Sequence, residues 1–100
     1  MNKDIIKAIV KEPKSDLKLV YLANSLEAFQ ETIGGYIEII PFGEALMVVD
    51  EDGKMKDKDI NFDFYCDQIV GIAIFVGING EEFDDCPYSC DKIRDMLKEV

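Results

Sequence analysis

Three cysteines and a run of carboxylates are the groups in this chain that a metal ion or an electrophile would seek. Cys86-Pro-Tyr-Ser-Cys90, with Asp84 and Asp85 beside it, presents thiol and carboxylate donors of the kind zinc takes. Zinc sites normally combine two short-spaced cysteine pairs or cysteine with histidine, and the chain has no histidine, so no metal is expected. Cys66 reads as a small core residue, and Cys90, near the start of a helix, as a mildly acidified thiol without a base to make it catalytic. The acidic stretch 50–59 has the look of a calcium loop. It lacks a carboxylate at the fifth position, brings Gly53 too early and has no correctly spaced bidentate Glu, which predicts a solvated turn. Without histidine no side chain titrates near neutral pH unless its pKa is shifted, and no nucleophile–His pair can form. Glu38 occupies a strand position suited to acid–base work but has no partner carboxylate in the pattern. A non-catalytic binding role without a cofactor is therefore the expectation.

Charge narrows what is bound. Asp and Glu number 21 against 11 Lys and Arg, a net charge of −10, which repels nucleic-acid backbones and anionic membranes and favours a basic protein partner. Residues 59–67 interleave Phe62, Phe64 and Tyr65 with Asp63 and other carboxylates, the composition of an interface hot spot ringed by negative charge; Glu82, Phe83 and Asp84 form a weaker patch of the same kind. A phosphate-bearing ligand would need cations. Arg94 and Lys98 stand at i, i+4 with Lys92 near them, and Tyr36, close to Glu38, could stack on a base.

The elements that must position these residues read as an α+β domain, a mainly antiparallel sheet of about four or five strands with two helices packed on it. One hundred residues hold one core. Residues 5–11 and 17–22 are short and β-branched around the turn cluster Glu12-Pro13-Lys14-Ser15-Asp16, which favours strands. Asn24 reads as an N-cap with Glu27 closing a capping box, Leu26, Phe29 and Ile33 share one helical face, and Gly34 ends the helix. Residues 36–40 and 45–49 form a hairpin about Pro41-Phe42-Gly43-Glu44, with Ile37 and Ile39 on one face. The run 69–76 has no polar side chain and reads as one central strand buried on both faces, with Gly71 marking close approach of the helix after Asn24. Ser89 caps a last helix carrying Ile93, Met96, Leu97 and Val100. The apolar run is too short to span a bilayer and the first residues lack a signal-peptide pattern, so a cytoplasmic location is expected.

The run Asn24-Ser25-Leu26-Glu27-Ala28-Phe29-Gln30, the stretch Gly34-Gly35-Tyr36-Ile37-Glu38, then Asp52-Gly53-Lys54-Met55-Lys56, Asn61 and the segment 71–77 together resemble the domain of unknown function 3846 family. Phe62-Asp63 depart from that pattern, which leads one to expect a basic residue soon after Asn61. The resemblance covers about residues 7–82 and implies small proteins of bacterial phages and mobile elements, with no assigned catalytic residues. In that setting the expected role is a counter-defence or host-takeover inhibitor that binds a host protein. The alternatives are a sponge that holds a nucleotide-derived immune signal at an oligomer interface, and an uncharacterised small enzyme. Association of the chain with itself is expected from its surplus of apolar and aromatic residues.

Overall fold

The computed structural model describes residues 3–100, with eight strands and two helices among them. β1 (Ile5–Lys11) and β2 (Lys18–Ala23) are the two β-branched runs, paired antiparallel from Ile5↔Ala23 to Val10↔Lys18. α1 (Leu26–Ile33) follows, then the hairpin of β3 (Ile37–Phe42) and β4 (Ala45–Asp50), whose Phe42↔Ala45 pair leaves only Gly43 and Glu44 in the turn. A second hairpin pairs β5 (Ile60–Phe64) with β6 (Asp67–Val70), and β7 (Ala73–Asn79), β8 (Glu82–Asp84) and α2 (Cys90–Leu97) complete the chain. The main sheet runs β2-β1-β7-β4-β3, antiparallel throughout, with β8 paired to the far end of β7.

Strand alternation decides what each face buries. Ile6, Ala8 and Val10 of β1, Val48 of β4 and Ile74 and Val76 of β7 point to one face, where Phe29 and Ile33 of α1 close over them. Ile9, Met47, Val49, Ala73 and Phe75 point to the other, under Ile93 of α2 and Ile69 of β6. The two helices thus lie on opposite faces. A central strand covered on both sides carries apolar residues at consecutive positions, which is why β7 shows no alternation in sequence.

The expected α+β class with an antiparallel sheet and two helices is what the chain adopts, but with eight strands rather than four or five. The additional ones, β5, β6 and β8, are short and carry carboxylates, beside aromatics in β5 and β8. The run 69–76 is two strands, not one. Gly71, at φ 73°, turns the chain between β6 and β7, and its close neighbour is the Lys58 side chain rather than α1. The N-cap of α1 is Ser25, whose Oγ accepts from the Ala28 N–H at 3.2 Å. Asn24 instead donates from Nδ2 to the Phe83 carbonyl at 3.1 Å, tying the entry of the helix to β8. Leu26, the first residue of this two-turn helix, is exposed, and only Phe29 and Ile33 of the expected face are buried. Gly34 at φ 83° and Ser89 terminate and cap their helices as expected. No helix among the described residues is long and apolar enough to cross a membrane.

Candidate functional site

The aromatic segment 60–67 folds as the β5–β6 hairpin over the α2 face of the sheet. Phe62 and Phe64, two residues apart, share its inner side: Phe62 stacks on Phe75 at 6.3 Å between centroids and Phe64 lies 5.9 Å from Phe42. Asp63, between them, points to solvent. The pair Phe64↔Asp67 leaves Tyr65 and Cys66 as the two-residue tip. Tyr65 has φ 55°, a left-handed backbone that favours glycine, and is 72% exposed with its ring edge-on to Phe64 at 4.8 Å. Cys66 is exposed beside it, not a core residue, because a two-residue tip has nothing packed above it. Lys54 pairs with Asp67 at the foot of the tip.

Between this tip and the end of α2 runs a slot of about 140 Å³. Its walls are the apolar Pro41, Phe42, Tyr65, Met96 and Val100, and Glu99 is its only charged lining residue. That volume is close to the roughly 150 Å³ that accommodates a benzene ring, enough for the end of one large side chain. An apolar slot with a carboxylate at its rim and an aromatic ring at its lip suits a long side chain ending in a cation.

The second acidic patch is built differently. Phe83 turns inward, its ring 4.8 Å from that of Phe29, while Glu82 stays exposed. Asp84 and Asp85 both hold Lys3, at 3.2 and 2.8 Å, and Asp85 also accepts from the Lys7 N–H at 2.8 Å. The Asp85 N–H and Lys3 hold the Asp84 carboxyl below its ordinary range, and Lys3 and the Lys7 N–H do the same for Asp85. This patch closes the end of the sheet and has little unpaired charge to offer.

The cations considered for a phosphate ligand are not gathered into one site. Arg94 makes two bonds of 3.0 Å from Nη2 to the Asp16 carboxylate and one of 2.6 Å from Nη1 to Asp91, which pins α2 to the β1–β2 loop. Lys92 lies in the first turn of α2 and Lys98 is its C-cap. Tyr36 is 68% exposed at the opposite end of the sheet order, just before β3, in a depression with Gln30, Gly35, Asp52 and Lys56; Glu38 lines a different one with Lys54 and Asp67. Of the remaining thiols, Cys86 is buried, and burial pushes its pKa up.

Sequence reasoning missed a buried charge cluster that fixes the acidic loop. Asp50, last residue of β4, has a side chain with no exposed surface. Its Oδ2 meets Lys58 Nζ at 2.5 Å and Lys56 Nζ at 3.0 Å, and its Oδ1 accepts from the Asp52 N–H at 2.8 Å. The same ammoniums donate onward to the end of α1, Lys58 to the Ile33 carbonyl at 2.7 Å and Lys56 to that of Gly34 at 3.2 Å. α1 has no basic residue in its own last turn, so the loop supplies the cations its dipole favours. Burial pushes the Asp50 carboxyl up, and the bonds from Lys58, the Asp52 N–H and Lys56 more than offset that, leaving it at about 2. The segment expected to be a solvated turn is thus anchored through its own lysines, and the Lys56-Asp57-Lys58 alternation is the one sequence signal that pointed there. Asn61 is a clamp of the same kind. Its Nδ2 donates to the carbonyls of Lys11 and Gly71, both at 2.8 Å, and its Oδ1 accepts from Lys11 Nζ.

No curated protein and no solved structure matches the chain. A family model described as a domain of unknown function matches residues 6–98, from the second residue of β1 to the C-cap of α2. With every element of the fold inside or overlapping that span, the chain belongs to the domain of unknown function 3846 family (DUF3846).

Proposed function

We propose that the protein is a non-catalytic binding protein that grips a basic segment of a host protein between the Tyr65 tip and the slot beside it. The observation that carries this reading is Tyr65 itself. At the first position of a two-residue hairpin tip, where left-handed backbone favours glycine, the chain instead carries a large aromatic side chain left 72% exposed. Exposed aromatics next to a pocket are the usual anchors of protein interfaces. Glu99 in the slot, Asp63 on the hairpin and the net charge of −10 set the sign of the partner. Acid–base catalysis at neutral pH would call for a carboxyl raised toward neutrality; the carboxyls whose pKa moves here, Asp16, Asp50, Asp67, Asp84 and Asp85, all move down. The phage and mobile-element setting that the resemblance implies makes this a counter-defence or host-takeover inhibitor, acting by covering the basic surface it binds.

Quantitative affinity capture from a bacterial host lysate tests this, comparing the native chain with Tyr65→Gly and Glu99→Lys. Tyr65→Gly relieves the backbone and keeps the fold. The expected result is one basic host protein whose recovery falls at least about tenfold in both variants, the loss of an anchor worth about 1.4 kcal/mol or more. Equal recovery of every host protein by all three would overturn the reading. A nucleotide-sized mass retained in native mass spectrometry and lost in Arg94→Ala would replace it with the sponge.

A further inference from the structure

The slot at Tyr65 is one end of a longer feature. Alternation along β3 puts Glu38, Ile40 and Phe42 on the α2 face of the sheet, where Ile40 and Phe42 join the core. Pro41 and Phe42 wall the slot, and Glu38 and Ile40 wall a second cavity of about 150 Å³. The β5–β6 hairpin supplies the other wall of both, Phe64 and Tyr65 at the slot and Asp67, Gln68 and Ile69 beyond it. β3 runs toward the hairpin tip and β6 runs away from it, so the two cavities lie end to end as one groove. Its middle is apolar, with Ile40, Val49 and Ile69 in the wall, and Met55, 86% exposed, borders it as an unpacked and adaptable side chain. Both ends are acidic. Glu99 lines the slot, and Glu38, Glu51 and Asp67 line the far end. Lys54 is the single cation lining either cavity, and it is already paired with Asp67; Glu38, Glu51 and Glu99 make no ion pair among the described residues.

We propose that this groove takes an extended segment of the basic partner, one that carries two Lys or Arg side chains four residues apart with an apolar side chain midway between them. This rests on the reading of the slot given above, since the first cation is the one held by Tyr65 and Glu99. The spacing follows from the strand that the ligand runs beside. Glu38 and Phe42 are four residues apart on β3, roughly 13 Å at 3.3 Å per residue, and residues i, i+2 and i+4 of an extended ligand face one way. The middle side chain then lies over Ile40. Charge complementarity selects this occupant, because an acidic or neutral segment would leave Glu38, Glu51 and Glu99 facing it without a counter-charge. The Lys54–Asp67 pair is more than half exposed on both sides and therefore weak, so an incoming cation can displace it.

Fluorescence anisotropy of the whole chain with labelled synthetic peptides tests this at about 50 mM salt, where exposed charges are less screened. The probes are Arg-Ser-Leu-Ser-Arg, the one-cation form Ser-Ser-Leu-Ser-Arg, and Arg-Leu-Ser-Arg, whose cations are three apart; spermine serves as competitor. The expected result is that Arg-Ser-Leu-Ser-Arg binds at least about fivefold more tightly than either control. Glu38→Lys removes that preference and changes binding of the one-cation peptide by no more than about twofold, which also shows that the variant folds. Lys54→Ala, by freeing Asp67, tightens the four-apart peptide. Equal affinity for all three peptides, or for the two spacings, with each still weakened by Tyr65→Gly, would overturn the groove and leave the slot standing. Peptide binding indifferent to Tyr65→Gly would overturn both. Spermine displacing the labelled peptide at lower concentration than the unlabelled peptide does would make the occupant a polyamine and overturn the partner segment.

Discussion

Asp50 has its carboxylate sealed from solvent while the two lysines that neutralise it keep part of their surface in water, Lys58 23% and Lys56 41% exposed. Breaking a fully buried ion pair costs about 3–5 kcal/mol. Here the orphaned ammoniums can turn outward, so Asp50→Asn is expected to cost less, about 2–3 kcal/mol in urea unfolding at neutral pH. The pH dependence follows from the sign of the shift. A carboxyl held at about 2 in the folded chain, against 3.8 ordinarily, stabilises the fold fully above the unfolded value. That contribution, on the order of 2 kcal/mol, disappears as pH falls from about 5 toward 2. Unfolding curves of the native chain and Asp50→Asn should therefore converge with acidification, and a gap that stays constant would remove Asp50 from the explanation. Little of this was legible in the residues. A carboxylate after Ala45-Leu46-Met47-Val48-Val49 and before an acidic turn looks like the first solvated residue of that turn, since its lysines come six and eight positions later. The Tyr65 segment was legible as aromatics among acids, but the left-handed backbone at Tyr65 has no sequence signal unless glycine is present.

The strands on the main sheet were readable because β-branched residues and turn clusters bound them, and the Ser25 cap was missed by one position because Asn24 and Ser25 both suit it. Gly71 carries an ambiguous signal. A glycine inside an apolar run fits a strand near a close neighbour as well as it fits a sharp turn, and only the long-range bond from the Gly71 N–H to the Asp59 carbonyl, at 2.8 Å, separates the two. Two glycines in left-handed backbone give a prediction at this scale. A Cβ at Gly71 would lie 2.8 Å from Cδ of Lys58, which Asp50 and Ile33 hold in place, whereas a Cβ at Gly80, in the β7–β8 turn, meets nothing within 4 Å. Both substitutions to alanine carry the left-handed penalty of about 1–2 kcal/mol. Gly71→Ala is expected to lose about 1 kcal/mol beyond Gly80→Ala in parallel thermal or urea unfolding, for the displaced lysine.

Across the whole molecule the net charge of −10 acts at long range whatever the details of the contact. Association with a basic partner is expected to slow at least about tenfold between roughly 50 and 500 mM salt, with a much smaller change in dissociation, as stopped-flow or surface-based kinetics would record. A rate indifferent to salt would mean that the partner is not basic. Sheet order has a consequence of another sort, for how the chain is made. β7 lies between β1 and β4, yet it is synthesised after both. Until Asn79 has cleared the ribosome, the β1–β2 and β3–β4 hairpins have no strand to join them, and Ile6, Ile9, Met47 and Val48 lack their central partner. The nascent chain therefore carries two apolar hairpins with open edges until β7 emerges, the state in which chaperones are most needed and from which misassembly starts.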